Sequence, residues 1–306
     1  MNQINVEVIK IGGSFLSSPE SLGDVLNIAR SSGKAVLVVS AFKGVTDRLQ
    51  NIYPLNTVTK ISEFQAIVSW HARILEKSPG YSQESSAESI LRGLYNGDCS
   101  VESIIEKVGT ADYDEFLSTG ERLSAVTVGM YLEHQRIKTK TVFSDALGVT
   151  VTERGQARII DIDATSKKTA GMVERLLAEG DIIVTTGFFG RDSDGRVKIL
   201  GRNSSDYSAV GIAASIGQSS VTLLKDVTGI YRADPKLLPP GSGHIPVLSY
   251  GDALNICLSG SKVVHPSAVE LAMETGVRIN VRRHGDSSGG TLICRVQEKQ
   301  VTLGIK

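Results

Sequence analysis

The sequence predicts an α/β fold built around a mostly parallel open sheet, and three observations carry that expectation. Ala35-Val36-Leu37-Val38-Val39-Ser40 is a continuous apolar run, the pattern of a strand covered on both faces. A first strand pattern precedes it at 4–10. Between the two, residues 19–30 carry Leu22, Val25, Leu26, Ile28 and Ala29 at helical spacing. Strand, helix, strand is a βαβ unit, which favours parallel pairing and a right-handed crossover.

The remaining elements follow in order. Residues from about 59 to 135 read as successive helices over 61–76, 84–95, 101–108 and 113–133, broken at Ser78-Pro79-Gly80 and Asn96-Gly97. This block is expected as a helical insertion on the edge of the α/β core. Strand patterns return at 139–143 and 181–186. Gly190-Arg191-Asp192-Ser193-Asp194-Gly195-Arg196 has the form of a hairpin tip, with Asp-Gly supplying the turn. Further strands are expected at 219–225, 277–281 and 290–294, and helices at 205–216, 250–258 and 265–275. Residues 296–306 alternate in polarity and suit an edge strand or the start of a further domain.

Composition narrows the function classes. At 306 residues there is room for one large α/β domain or two lobes. Lys+Arg and Asp+Glu each number 33, so no overall charge favours nucleic acid or a membrane surface, and any anion site must be local. Cys99, Cys257 and Cys294 are widely spaced, with no C-x-x-C pair. That pattern argues against a disulfide framework or a zinc site and for a reducing compartment. The N-terminus has no signal-peptide pattern, and no apolar run approaches the ~20 residues of a bilayer span. The expected location is cytoplasmic.

Several turns fall at the expected strand ends, where open α/β sheets bind ligands. Lys10-Ile11-Gly12-Gly13-Ser14 sets a lysine before paired glycines, which let backbone approach a phosphate while the lysine neutralises charge. It is neither a Walker A loop nor a dinucleotide fingerprint. Ser40-Ala41-Phe42-Lys43-Gly44-Val45-Thr46-Asp47 leaves the second strand in the same way, and also suits an N-capped helix. Ser118-Thr119-Gly120-Glu121-Arg122-Leu123-Ser124-Ala125 embeds a glycine in a helix, at a cost of about 1 kcal/mol against alanine. Such a glycine usually serves close packing or access. Glu121 suits an ammonium group, or a solvated helix face.

Leu200-Gly201-Arg202-Asn203-Ser204-Ser205-Asp206 runs into an apolar helix, whose N-terminal N–H groups and dipole favour an anion. Arg202 adds a planar fork of donors. Ser205 as a helix cap and Asp206 as a dipole partner are the alternative. Lys225, Asp226, Tyr231 and Asp234 cluster after another strand, with Tyr231 placed to face an adenine ring. Lys262 and His265 precede a helix opened by Pro266. Together these turns describe a rim for handling phosphate.

The order of these motifs, from Lys10 to Leu292, resembles the amino acid kinase superfamily, and within it the catalytic domain of aspartate kinases. Lys10 to Ser14 matches the family's K-x-G-G-[ST]. Val39 to Asp47 matches V-S-A-x-x-G-V-T-D, and Ser118 to Ala125 matches S-x-G-E-x-x-S-A. Its G-F-x-G, L-G-R-G-G-S-D-Y-[ST]-A, [TK]-D-V-x-G-[IV]-Y-x-A-D-P and G-[AS]-K-V-x-H-P segments follow in sequence.

The resemblance implies a three-layer αβα sandwich with an amino-acid lobe over 1–200, containing the helical insertion, and an ATP lobe over 201–306. It implies ATP-dependent phosphorylation of the aspartate side-chain carboxylate. Lys10 and Asp206 would be catalytic. Ser40, Thr46, Glu121, Phe188, Arg202 and Ser205 would bind the amino acid, with Glu121 at its ammonium and Arg202 at its α-carboxylate. Gly12, Gly13, Gly44, Lys225, Asp226, Tyr231, Lys236 and Lys262 would handle ATP. Mg²⁺ would be bound mainly through ATP oxygens, with no metal ligands from the chain.

Three segments depart from the family pattern. Asn203-Ser204 stands where Gly-Gly is usual, Lys43 replaces a small residue, and Lys236 replaces an arginine, losing its fork. The chain also ends where family members continue into ACT regulatory domains, so an attached amino-acid sensor is not expected. A homodimer or a separate regulatory subunit are the partners left open. Two other functions stay in view: a kinase for a different amino acid or small carboxylate, and a non-catalytic regulatory paralogue that binds nucleotide or amino acid.

Overall fold

The parallel pairing expected of the first βαβ unit is present. β1 (Glu7–Ile11) lies beside β2 (Ala35–Val39), in register from Glu7 opposite Ala35 to Ile11 opposite Val39, with α1 (Glu20–Ser31) crossing between them. The computed structural model describes residues 6–84, 86–94, 100–232, 242–261, 263–285 and 289–296. The patterns expected at 4–5 and 297–306 therefore lie outside the described residues, as do Cys99, Lys236 and Lys262.

After β2 the chain forms α2 (Val45–Ile52), α3 (Thr57–Glu76), α4 (Ala87–Gly93), α5 (Val101–Thr110) and α6 (Tyr113–His134). Next come β3 (Thr139–Thr141), α7 (Ser144–Leu147), β4 (Val151–Arg154), β5 (Ala157–Ile160), α8 (Ile162–Glu179) and β6 (Ile182–Thr186). A hairpin of β7 (Phe189–Arg191) and β8 (Val197–Ile199) leads to α9 (Ser205–Ser215) and β9 (Ser220–Lys225). The last elements are β10 (Ile230–Tyr231), β11 (His244–Ile245), β12 (Val247–Ser249), α10 (Tyr250–Leu258), α11 (Pro266–Thr275), β13 (Arg278–Arg283) and β14 (Thr291–Cys294).

The main sheet has eight strands in the order β12-β14-β13-β9-β1-β2-β6-β3. Every neighbouring pair is parallel except β13 with β14. Strands from before residue 200 occupy one half and strands from after it the other, with β1 and β9 at the join. Ligands in open sheets bind beyond the carboxyl ends of strands where the order reverses, and the join is such a place.

Alternation along each strand sorts the core into two layers. Ile9, Ile11, Ala35, Leu37, Val39, Ile182 and Val184 face one cluster with α1 to α6, while Val8, Val36, Val38 and Ile183 face a second with α8 to α11. Because side chains of successive strand residues point to opposite faces, a strand buried on both sides must be apolar throughout. The result is the three-layer αβα sandwich expected. The block over 59–135 is helical, as expected: α3, α4 and α5 pack on one another, α3 and α4 also pack on α6, and α6 reaches the face of the sheet. α6 packs against β2, β3 and β6, and 17 of its residues are buried, so it is one of the layers rather than an addition to them.

Residues 144–180 form elements that the hydrophobic pattern does not announce. The inward face of α8 is Thr165, Thr169, Val173 and Leu177, and its two threonines thin the apolar signal. Its N-cap is regular, with Asp161 Oδ1 accepting from Ala164 N–H at 2.9 Å. The 190–196 turn is the hairpin tip expected: Gly195 has φ +79°, and Asp192 Oδ1 accepts from the N–H groups of Asp194 and Arg196.

Candidate active site

A cleft of about 800 Å³ opens at the carboxyl ends of β1, β2, β6 and β9. Lys10, Gly12, Gly13, Ser40, Gly44, Thr46, Glu121, Phe188, Arg202, Ser205, Asp206, Lys225 and Asp226 all line it, so thirteen residues singled out from the sequence converge on one place. Tyr231 does not line it. Its hydroxyl pairs with that of Thr228 at 2.5 Å and its ring lies 5.4 Å from His244.

Asp206 is the electrostatic centre. It sits in the first turn of α9, is 2% exposed, and has Lys10 Nζ 2.9 Å from one oxygen and Lys225 Nζ 2.7 Å from the other. Burial alone would raise its pKa, but the Lys10 and Lys225 ammonium groups outweigh that and hold the carboxyl well below the usual range. Lys10, itself 6% exposed, is pushed below the ordinary lysine value by burial and by the neighbouring Lys225, against the pull of Asp206. Two ammonium groups on one carboxylate leave one positive charge over, presented to the cleft.

The N-cap of α9 is Ser204, not Ser205, and it makes no side-chain cap bond; its hydroxyl donates to the Gly201 carbonyl at 2.7 Å. The Ser204 side chain therefore does not occupy the N-terminal amides of α9, whose first residues, Ser205 and Asp206, line the cleft. The backbone N–H of His265 also points at Asp206 Oδ2, 3.3 Å away. Sequence pattern set His265 on the rim without a role, because its contact with Asp206 is a main-chain donor that any residue could supply.

The glycines have identifiable reasons. A Cβ on Gly12 would stand 3.1 Å from Lys10 Nζ, and one on Gly13 would stand 2.6 Å from the Ala41 carbonyl oxygen. The β1 turn therefore lies directly against the β2 turn, and its first glycine leaves the space that the lysine occupies. The mid-helix Gly120 is explained likewise, since its Cβ would meet Leu49 at 3.0 Å and Ala41 at 3.3 Å.

That close approach delivers Glu121. It is buried, not on a solvated face: 3% exposed, with Oε1 accepting from Ala41 N–H at 3.1 Å and Oε2 without a hydrogen-bond partner. Burial pushes its carboxyl up to about 8, against the Ala41 N–H and the charge of Lys10. Ser124, one turn on, accepts from Phe42 N–H at 2.9 Å, so α6 clamps the β2 turn at two points. Phe188 holds a left-handed backbone, φ +76°, fixed by its N–H donating to Ser208 Oγ and its carbonyl accepting from Leu200.

Arg202 and Asn203 are exposed at the mouth, Asn203 with φ +61°. Lys43, also exposed, lines the cleft from the β2 turn.

A sequence model described as the amino acid kinase family matches residues 5–283. The chain belongs to the amino acid kinase family. Within the family it is similar to the aspartokinase of Geobacillus stearothermophilus, 33% identical over 183 residues that make up 60% of this chain and 43% of that one. It is 35% identical over 189 residues to the aspartokinase of Corynebacterium efficiens, covering 61% and 43%. The structure of E. coli aspartokinase III in complex with aspartate and ADP superposes with a TM-score of 0.77 at 25% identity, covering 96% of this chain and 65% of that one. The match thus spans under half the length of those two curated relatives. Among its described residues no helix is long and apolar enough to cross a membrane.

Proposed function

We propose that this amino acid kinase transfers the γ-phosphoryl group of ATP to the side-chain carboxylate of L-aspartate, giving 4-phospho-L-aspartate and ADP. One observation carries the reading: a single cleft holds a buried carboxylate oxygen with no partner, on Glu121, beside two ammonium groups gathered on Asp206. The first suits a substrate ammonium and the second a transferring phosphoryl group. The aspartate and ADP bound in the E. coli aspartokinase III structure support the same pairing of ligands.

In this scheme Glu121 receives the α-ammonium and Arg202 the α-carboxylate, with Ser40, Thr46, Phe188 and Ser205 shaping the pocket between them. The side-chain carboxylate has a pKa near ~4, so it is ionised at neutral pH and needs no general base. Its oxygen bonds to the γ-phosphorus while the bond to the bridging oxygen breaks, and ADP leaves with the electron pair. Lys10 neutralises charge on the transferring group, Asp206 holds Lys10 and Lys225 in place, and Gly12, Gly13 and Gly44 offer backbone donors. Lys225, Asp226, Tyr231, Lys236 and Lys262 are assigned to ATP.

Mg²⁺ fits as a partner of the nucleotide. Both Asp206 oxygens are taken by ammonium groups, and among the described residues no three His, Cys, Asp or Glu side chains group as a metal site. The partition of sheet strands about residue 200 supports reading 1–200 as the amino-acid lobe and 201–306 as the ATP lobe. The free thiols of Cys257 and Cys294 suit a reducing, cytoplasmic setting.

Asn203 favours one second reading, a different acid. Its side chain stands at the mouth where the family pattern has none. ADP release and hydroxamate trapping of the acyl phosphate, compared across aspartate, glutamate and related acids, test both. A clear preference for aspartate is expected. Preference for another acid overturns the substrate, and ATP binding without turnover on any carboxylate overturns the kinase reading in favour of a regulatory paralogue.

A further inference from the structure

The mouth of the cleft holds a contact that none of the family motifs contains. Arg202 Nη2 donates to Gln50 Oε1 at 2.5 Å, joining the turn before α9 to the end of α2. Gln50 Nε2 in turn donates to Tyr113 Oη at 3.2 Å. Tyr113 is the first residue of α6, packed edge-on against Tyr53 with ring centroids 5.1 Å apart. Asp112 caps that helix end by accepting from Glu115 N–H at 2.9 Å.

We infer that Gln50 is a positioning residue that holds the Arg202 guanidinium in register with Glu121 for the two polar groups of an α-amino acid. A guanidinium has donors and no acceptor, so only the carboxamide oxygen of Gln50 can face Arg202. That choice points the NH₂ group away, toward a group able to accept, and Tyr113 supplies one. Both ends of the amide are satisfied and its orientation is fixed. Tyr113 and Glu121 lie on the same helix, about 12 Å apart along its axis at 1.5 Å per residue. The ammonium-binding carboxylate and the anchor of the carboxylate-binding arginine are therefore referenced to one rigid element.

The residue type matters. A carboxylate at position 50 would make a charge-assisted pair with Arg202 and compete with the substrate carboxylate. A neutral amide orients the guanidinium by a weaker bond and leaves its other donors free. Arg202 is exposed and has no ion-pair partner among the described residues, so without Gln50 its long side chain would sample many rotamers before binding. The energetic consequence belongs to amino-acid binding, not to the chemical step.

This inference rests on the assignment of Arg202 to the α-carboxylate. The test is steady-state kinetics of Gln50→Met, Tyr113→Phe, Arg202→Ala and the Gln50→Met/Arg202→Ala double variant, with thermal melts confirming the folded state. Gln50→Met keeps the shape and loses both bonds. It is expected to raise KM for L-aspartate about tenfold, with kcat within about twofold and KM for ATP unchanged. Tyr113→Phe shifts the same parameter less. In the Arg202→Ala background Gln50→Met adds nothing further, because its effect runs through the arginine. An unaltered KM in Gln50→Met, a parallel rise in KM for ATP, or an undiminished effect in the double variant would overturn the role of Gln50. If Arg202→Ala itself leaves KM for aspartate unchanged, the assignment of Arg202 fails first, and this inference with it.

Discussion

At the scale of single residues, the site depends on charges placed where water cannot screen them. Lys10 and Asp206 are both nearly buried; Asp206 is held charged by Lys10 and Lys225, while Lys10 has Asp206 in its favour against burial and the like charge of Lys225. Lys10→Ala is expected to lower kcat by about 10²–10³, the range for losing one preorganised charge-stabilising donor, while ATP still binds through Lys225 and the turns. Near-normal turnover in that variant would remove Lys10 from the chemistry. Glu121 makes a pH prediction. Its carboxyl is raised from the ordinary value to about 8, so between those values the folded chain holds a proton that the unfolded chain has released. Stability contributed this way is full at low pH and is lost as pH rises through about 8. Urea unfolding across that window should show the fall in the wild type and a flatter profile in Glu121→Gln. A substrate ammonium needs the ionised form, so KM for L-aspartate should fall with rising pH, approaching tenfold per unit, until it levels near 8.

At the scale of elements, the site is held by close approaches that glycine permits. Gly187, between β6 and β7, would put a Cβ 2.6 Å from Ser205 Cβ and 2.9 Å from Ser205 Cα. Gly187→Ala must therefore push the start of α9 away, and with it Asp206, from the β1 end that carries Lys10. The expected outcome is a loss of about 1–3 kcal/mol in urea unfolding together with a fall in kcat of at least about tenfold. A variant as active as wild type would show that α9 can give way without disturbing the lysines. The clamp of α6 on the β2 turn works in the same way. Its two bonds, Ala41 N–H to Glu121 and Phe42 N–H to Ser124, use one residue that lines the cleft and one that does not, on consecutive turns.

At the scale of the molecule, two cores share one sheet. β1, β2 and β6 contribute alternate residues to both, so neither core survives loss of those strands. Ile279, in β13, is fully buried in the core with α8 to α11, whereas Trp70, the single tryptophan, packs against the other. Ile279→Ala should cost about 2–5 kcal/mol and lower the unfolding midpoint reported by Trp70 fluorescence as much as that reported by circular dichroism. Separate midpoints would show that the layers unfold independently.

Much of this arrangement was legible in the chain alone, and the reasons are local. An apolar, β-branched run such as Ala35–Val39 fits a doubly covered strand, and glycines beside a lysine at a strand end mark backbone in close approach. The turn residues Lys10, Gly12, Gly13, Arg202 and Asp206 declare their chemistry by type and spacing. Three matters did not follow from spacing. Whether α6 lies at the edge or within the sandwich depends on which faces of the sheet remain to be covered, which no single segment encodes. The contacts of Tyr231 with Thr228 and His244 are made by the β10–β11 pairing and are not readable from its distance in sequence to Lys225. Gln50 carries no motif at all, because its role arises from two partners, Arg202 and Tyr113, that are remote in sequence and meet only when the layers pack. Sequence by itself determined most of the elements outside 144–180, the parallel βαβ start of the sheet and the side-chain types of the cleft, since these follow from hydrophobic period and side-chain type. Tertiary structure alone decided which parts touch, that Glu121 is buried with an oxygen left open, and that Asp206 gathers both lysines, because burial and long-range contact are properties of the packed chain.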